Sequence, residues 1–357
     1  MGNDDRDLTT ELAGKTCLIT GADGFMGSHL TEACVRGGAD VHAFVRATSS
    51  GSLNNIEHLR DQITLHEGDI TDMHSVRTVF AALRGTKPLV FHLAAQAHVG
   101  ESWDRPFETA NVNFIGTLNL LQAIVDLDLE ITVFDTAGTS EEYGNVAEAI
   151  NDQHRFDEHG RPMFHEWSPL NPKSIYATSK VAADFVTLNF FDAYGLPTIV
   201  TRMFNNYGPR QNPRYVTGTI ITQALAREAI QLGALDTLRD FCYCEDGVLG
   251  HLTVALKGRP GEVYCYGQGE NISIGDWANT ILRLGEENGF WADRKIVSDP
   301  SRFRPGQSDV VALRVGYEKL HQETGWKPRW TWEEGLLRSI EWYATNPERW
   351  RSKVDWS

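Results

Sequence analysis

Thr16-Cys17-Leu18-Ile19-Thr20-Gly21-Ala22-Asp23-Gly24-Phe25-Met26-Gly27 is the stretch on which the reading of this chain turns. Its first five residues are β-rich and largely apolar, and an amphipathic stretch, Met26–Gly37, follows the glycines. Gly-x-x-Gly-x-x-Gly between a strand and a helix is a variant of the dinucleotide fingerprint. Gly21 permits the tight turn, Gly24 lets the backbone approach a pyrophosphate, and Gly27 lets the helix pack close. The anion then sits on the helix N-terminus, where free N–H groups and the dipole favour it. Phe25 and Met26 belong to the same cradle. A glycine turn with no such role has the same letters, but this one opens the first strand–helix unit of the chain, as the motif requires.

Outward from that loop, strand candidates recur at Val41–Val45, Ile63–His66, Leu89–Leu93, Ile131–Phe134 and Thr198–Thr201. Helical periodicity between them marks Met73–Leu83, Phe114–Leu127 and Ser179–Tyr194. Near-continuous apolar strands alternating with helices predict an α/β fold, a Rossmann-type doubly wound parallel sheet. The second half mixes predicted helices (Thr219–Leu232, Ile274–Gly285, Thr331–Thr345) with short strands such as Glu262–Tyr266, and tryptophans concentrate towards its end. It reads as a smaller mixed α/β lobe packed over the carboxyl edge of the sheet, where open α/β sheets bind ligands. The expected division is a dinucleotide-binding domain over 14–201 and a substrate lobe over 202–347, with segments that can return to the sheet. Residues 1–10 and 350–357 are expected to be flexible ends.

Composition narrows the function. Among 357 residues, 33 Lys+Arg face 48 Asp+Glu, a formal charge of −15. Such an acidic balance excludes a general nucleic-acid binder, which needs a broad basic surface. No apolar run reaches the ~18 residues of a membrane span. Met1 to Thr10 is polar and acidic, unlike a secretion or transit signal, so a soluble cytoplasmic protein is expected. The five cysteines are an odd number in a chain large enough to fold without staples, and they read as buried thiols. Cys242 and Cys244 lack a second pair at ligand spacing, so no metal is expected.

An acid at the end of strand two would hold the ribose hydroxyls of NAD. Here the strand ends in Val45-Arg46-Ala47-Thr48-Ser49-Ser50, a guanidinium followed by hydroxyls. That suits a 2′-phosphate and favours NADP over NAD, although Arg46 stacked on adenine has the same sequence. Asp69 and Ile70, after strand three, are candidates for the adenine end; Asp69 is equally a turn residue. Small residues after strand four, in Leu93-Ala94-Ala95, leave room for a cofactor ribose.

Thr139 stands after strand five, and Tyr176 and Lys180 lie one helical turn apart and share a face. A phenol with an ordinary pKa near 10 is a poor base at neutral pH. An adjacent ammonium favours its phenolate, so Lys180 is expected to lower the Tyr176 pKa. His92 lies in an apolar run and reads as a core histidine rather than a catalyst.

Together the glycine loop, Asn113-Phe114-Ile115-Gly116-Thr117, Tyr176 and Lys180 make the sequence resemble the extended short-chain dehydrogenase/reductases, in the nucleotide-sugar epimerase/dehydratase group. The likeness covers roughly residues 14 to 345. Arg202 to Arg210 is similar to that group's substrate segment, and Arg239-Asp240-Phe241 and Arg304-Pro305-Gly306 to its diphosphate contacts. Thr139-Ser140-Glu141, Leu232 to Asp240 and Arg46 are closest in pattern to GDP-mannose 4,6-dehydratase. Asn206-Tyr207-Gly208 leans instead towards dTDP- and UDP-sugar enzymes, and Glu142 beside Tyr143 towards a reductase of 4-keto sugars.

The resemblance implies a nucleotide-sugar 4,6-dehydratase, a hydro-lyase of carbohydrate biosynthesis with a tightly bound, recycled NADP or NAD. Tyr176 would take the proton of the C4 hydroxyl, Lys180 would hold the nicotinamide ribose, and Thr139 would hydrogen-bond the C4 oxygen. Glu141 would remove the C5 proton before water leaves C6. Ser140 stands where related enzymes carry an acid, and a serine hydroxyl is too weak an acid to replace it. Of Glu141 and Glu142, one is expected to be part of a solvated acidic loop. Glu101, Asn205, Arg239 and Arg304 are the candidate contacts to a nucleotide-diphosphate sugar. A UDP-hexuronate decarboxylase, a 4-epimerase and a 4-keto reductase share the scaffold; a non-enzymatic dinucleotide sensor is the remote alternative. The resemblance also implies a homodimer, with Phe114–Leu127 and Ser179–Tyr194 packed as a four-helix bundle.

Overall fold

A computed structural model describes residues 10–49, 51, 53–146, 148–302 and 309–354. Seven strands form one sheet: β1 Thr16–Thr20, β2 Asp40–Arg46, β3 Thr64–Gly68, β4 Leu89–His92, β5 Val133–Thr139, β6 Thr198–Met203 and β7 Val263–Tyr266. They run in the order β7-β6-β5-β4-β1-β2-β3, and every pairing is parallel. The order reverses between β1 and β4, and ligands of such sheets bind in the crevice beyond that point. Helix α1 (Phe25–Arg36) follows the glycine loop, α2 (Met73–Ala82) follows β3, α3 (Gly116–Asp126) follows β4 and α4 (Ile175–Tyr194) precedes β6. Later come α5 (Val216–Ala226), α6 (Cys244–Lys257), α7 (Ile274–Glu287) and α8 (Trp332–Thr345). Helices α2, α3 and α4 cover one face, and α1 with α6 the other.

Burial on both faces explains the apolar strands. Cys17, Leu18 and Ile19 are wholly buried, and β5 is buried along its length. The last strand comes from the region assigned to the second lobe: Val263 pairs with Val200 and Tyr266 with Met203, which extends the sheet beyond β6.

Three element expectations need correction. Strand five runs on to Thr139 instead of stopping at Phe134, because Thr136-Ala137-Gly138-Thr139 is narrow enough to lie between helices. The second helix of the expected bundle begins at Ile175, capped by Ser174 Oγ accepting the Ala177 N–H at 3.0 Å. Thr219–Leu232 is two elements, since the backbone turns extended at Arg227 and Ala229–Leu232 pairs parallel with Lys295–Ser298. The Gln223 amide accepts the Gln231 N–H (2.9 Å) and donates to its carbonyl (3.1 Å), so that short strand's open edge is satisfied from α5.

The aromatic residues of the C-terminal half do not form the separate core expected of them: Tyr207, Phe241, Trp277 and Trp350 share one cluster with Cys17, Ile19, Leu30 and Phe91 of the sheet and α1. Trp277 is fully buried, stacked on Phe241 at 4.1 Å and edge-on to Tyr207 and Trp332. Trp350, expected in a flexible end, is 2% exposed and donates its indole N–H to the Tyr343 carbonyl at 2.7 Å. Among the described residues no helix is long and apolar enough to cross a membrane. All five cysteines are free and buried, and no cluster of metal-ligating side chains occurs among the described residues.

Candidate active site

A cavity of about 1180 Å³ opens beyond the carboxyl ends of β1, β4 and β5 and extends under the second lobe. Every candidate residue named from the sequence lines it except Arg304, which lies outside the described residues.

One end is the glycine cradle. Gly21 adopts a φ of +70°, and a Cβ there would stand 2.9 Å from the Ala94 backbone. A Cβ on Gly27 would meet the Gly21 carbonyl oxygen at 2.1 Å. Neither site has room for a side chain, so loop and helix approach as closely as a pyrophosphate cradle requires. No side chain caps α1 at Gly24, which leaves its first-turn N–H groups facing the cavity. Ile70, Leu93, Ala94 and Ala95 form the apolar wall. Asp69 directs Oδ1 to the Thr71 N–H and hydroxyl, both at 2.8 Å, so it is at least a turn residue. Arg46 is exposed at the end of β2 and has no ion-pair partner among the described residues. The donor set fits a dinucleotide.

Sequence reasoning missed part of this end. Asp23 Oδ1 and Oδ2 accept the N–H groups of Asn55 (2.6 Å) and Asn54 (2.7 Å), which ties the chain after β2 to the glycine loop. Arg349 donates to the Asn54 carbonyl, and Lys353 also lines the cavity. Only the pairing of distant segments shows this.

The chemical end is built on β5, α4 and β6. Thr139 closes β5 and caps a short helical turn, Ser140–Glu142, accepting the Glu141 N–H at 3.3 Å. Its hydroxyl reaches the Tyr176 phenol. Burial, then Tyr215, Glu142 and Glu141, hold that phenol well above its ordinary range against the pull of the Thr139 hydroxyl. The expectation that Lys180 lowers the phenol therefore fails here. Lys180 is 3% exposed and turned towards Asp184 and Glu142; burial lowers its own pKa while those carboxyls oppose the shift.

Neither acid after Ser140 is solvated, contrary to expectation. Glu141 is 6% exposed and lines the cavity; Glu142 is wholly buried behind it. Glu142 Oε1 accepts the Thr139 N–H at 2.7 Å, and Oε2 lies 3.0 Å from Arg202 Nε, which also donates to Asp184 at 2.9 Å. Two carboxyls thus compete for one guanidinium. Burial and the Asp184 charge push the Glu142 carboxyl well above its ordinary range. Gly138 sits between them, where a Cβ would meet Arg202 Cγ at 2.8 Å.

His92 is the core histidine expected, held between the hydroxyls of Thr20 (2.8 Å) and Thr117 (2.9 Å). Asn113 links the loop after β4 to α4: it accepts the Gln96 N–H at 2.8 Å and donates to Ser179 at 2.9 Å.

Towards the second lobe, Asn205 Oδ1 and Gln211 Oε1 are buried with no hydrogen-bond partner among the described residues. Two orphaned acceptors suit the hydroxyls of a bound ligand. Arg239 Nη1 donates to the carbonyls of Val310 (2.7 Å) and Leu238 (2.9 Å), which fixes its guanidinium in the wall beside Asp309. Glu101 pairs with Arg105 at 3.5 Å and Arg214 at 3.7 Å across the cavity mouth. Tyr215, unforeseen from sequence, lines the cavity near both Glu101 and Tyr176.

Comparison with known proteins follows the same lines. The sequence profile of the GDP-mannose 4,6-dehydratase family matches residues 18–338. The chain is 31% identical to dTDP-D-glucose 4,6-dehydratase of Mus musculus over 343 residues, covering 95% of this chain and 91% of the mouse protein. The crystal structure of dTDP-glucose 4,6-dehydratase from Bacillus anthracis in complex with NAD is similar at a TM-score of 0.79 and 28% identity, covering 96% of this chain and all of that one. RMD from Pseudomonas aeruginosa, complexed with NADPH, is similar at a TM-score of 0.70 and 25% identity, covering 96% of this chain and 99% of that one.

Proposed function

The chain belongs to the GDP-mannose 4,6-dehydratase family, and from that premise we propose that it converts a nucleotide-diphosphate sugar to its 4-keto-6-deoxy derivative. The observation that carries the reading is the convergence of Thr139, Glu141, Tyr176 and Lys180 on one cavity whose other end is a glycine cradle.

Tyr176 acts as its phenolate, the form that the Thr139 hydroxyl favours, and accepts the proton of the C4 hydroxyl, while Thr139 donates a hydrogen bond to the C4 oxygen. A nicotinamide dinucleotide held in the cradle supplies the hydride acceptor for C4 and the donor for C6. With C4 a ketone, the C5 proton is acidic, and Glu141 removes it as the C6 hydroxyl departs. Lys180, turned towards Asp184 and Glu142 one helical turn from Tyr176, orients the ribose. Asn205 and Gln211 accept from the sugar or ribose hydroxyls, and Arg239 presents its fixed guanidinium to the diphosphate, a local cation in an acidic protein. Arg46, exposed at the end of β2 with no ion-pair partner among the described residues, supports NADP over NAD.

Phe107 is 90% exposed and Phe185 54%, apolar rings on the helical face that includes α3 and α4. A second copy of the chain covers them in this reading. A cytoplasmic setting accords with the free thiols.

Incubation with GDP-mannose, dTDP-glucose, UDP-GlcNAc and UDP-glucuronate, followed by proton NMR, tests the function. One of the first three should yield a 4-keto-6-deoxy sugar. Carbon dioxide from UDP-glucuronate, with no such product from the others, would reject it.

A further inference from the structure

Dehydration across C5 and C6 carries a proton requirement that the residues above leave open. The C5 proton taken by Glu141 returns to C5, and the hydrogen lost from C4 reappears at C6. What remains is the C4 hydroxyl proton, and it must end in the water formed at C6. The site therefore needs an acid at C6 and a route to it from Tyr176. Ser140 cannot be that acid, since an aliphatic hydroxyl does not give up a proton near neutral pH.

Tyr215 is the other phenol in the cavity. It occupies the N-cap position of α5, so the helix fixes its backbone. Its ring packs edge-on against His98 at 5.8 Å, and His98 in turn is held by the Glu101 N–H on Nδ1 at 3.1 Å. The Tyr215 hydroxyl has no hydrogen-bond partner among the described residues, although the side chain is largely enclosed. It lines one cavity with His98, Glu101, Thr139, Glu141 and Tyr176, and the charges of Glu101 and Tyr176 are coupled to its own. Burial and the Glu101 carboxylate push the Tyr215 phenol up to about 12, so it keeps its proton at neutral pH yet remains a stronger acid than water.

We propose that Tyr215 is the acid that protonates the departing C6 hydroxyl and that Tyr176 reloads it. As Glu141 takes the C5 proton, the C5–H electron pair becomes the C5=C6 bond. The C6–O pair leaves with the oxygen, which takes the Tyr215 proton to become water. Tyr215 is then a phenolate, while Tyr176 holds the proton from C4. Transfer of that proton from Tyr176 to Tyr215 returns Tyr176 to the phenolate and Tyr215 to the phenol with which the cycle began, so in the balance of the cycle the proton taken from the C4 hydroxyl is the one that leaves in the water.

This inference rests on the dehydratase reading, and its test separates the two. Wild type, Tyr215→Phe and Tyr215→His are assayed with GDP-mannose and dTDP-glucose and with their 6-deoxy-6-fluoro analogues, whose fluoride leaves without an acid. Tyr215→Phe, which keeps the ring on His98, should lose about 100-fold on the hydroxyl substrate. On the fluoro analogue it should stay within about threefold of wild type, and Tyr215→His should recover at least about tenfold on the hydroxyl substrate. Equal losses on both substrates, or no loss on either, would overturn the assignment of Tyr215 alone. A wild type that forms no 4-keto-6-deoxy product would remove the dehydratase reading, and this inference with it.

Discussion

The carboxyl of Glu142 turns back to accept the N–H of Thr139 at 2.7 Å, so a wholly buried acid holds the backbone of the residue that touches the Tyr176 phenol. Because its pKa is raised, the folded state keeps a proton that the unfolded chain has lost. Stability then falls as pH rises above the ordinary carboxyl value of about 4.3, until Glu142 itself ionises. A glutamine reproduces the protonated group: its oxygen accepts from Thr139 and its amide donates to Asp184. Glu142→Gln should unfold in urea within about 1 kcal/mol of wild type and lack that slope, whereas Glu142→Ala should lose about 1–3 kcal/mol from the orphaned Thr139 N–H. Equal losses in the two variants would show that the carboxyl is ionised in the fold.

Tyr176 and Lys180 separate chemistry from binding. Tyr176→Phe removes only the hydroxyl and should lower kcat by 10²-fold or more, on the order expected for a lost general base. Its dissociation constant for NADP⁺ or NAD⁺, read by titration calorimetry, should stay within about threefold. Retained turnover in Tyr176→Phe would reject the assignment of the base.

Arg46 governs the choice of dinucleotide. A charge-assisted contact to a 2′-phosphate contributes about 1.5–3 kcal/mol, so Arg46→Ala should weaken NADP⁺ by about 10- to 100-fold and leave NAD⁺ nearly unchanged. The ratio of the two dissociation constants is the measurement. A ratio equal to that of wild type would place Arg46 on the adenine or in solvent.

The exposed rings of Phe107 and Phe185 test the assembly. If a second copy covers them, Phe107→Glu with Phe185→Glu should halve the mass seen by sedimentation velocity. An unchanged mass, whether of one chain or two, would exclude this face from the interface.

How far the sequence carried these conclusions depends on the range of each signal. The glycine loop and the Tyr176–Lys180 pair are local patterns, and both stand where the strand–helix alternation put them. Glu142 was illegible because nothing within a few residues of it says that β5 continues to Thr139 and draws Ser140–Glu142 inside. Tyr215 and Asp23 escaped for a similar reason: their partners lie about 40 and 30 residues away in sequence, on elements that meet only in the folded sheet. Ala229–Leu232 was misread because a four-residue apolar run fits either a helix end or a buried strand.

His92 offers a prediction about acid stability whose sign follows from burial. The ring is 1% exposed, and burial with the nearby Lys180 charge lowers its pKa to about 3. In an unfolded chain histidine titrates near 6.5. Between those values the unfolded state binds a proton that the folded state refuses, so the folded state loses stability as pH falls below 6.5, at about 1.4 kcal/mol per pH unit for this one group. Above 6.5 the contribution is complete and flat. His29, lowered to about 4 by burial and Arg210, adds a slope of the same sign. The difference between wild type and a variant with His29 intact therefore isolates His92. His92→Gln keeps polar atoms for Thr20 and Thr117 but does not titrate. Its unfolding free energy in urea, measured from pH 6.5 to 4.5, should fall less steeply than that of wild type by close to one proton. Parallel curves would mean that His92 takes up its proton inside the fold, and the ring would then be facing a carboxylate or water rather than two threonine hydroxyls.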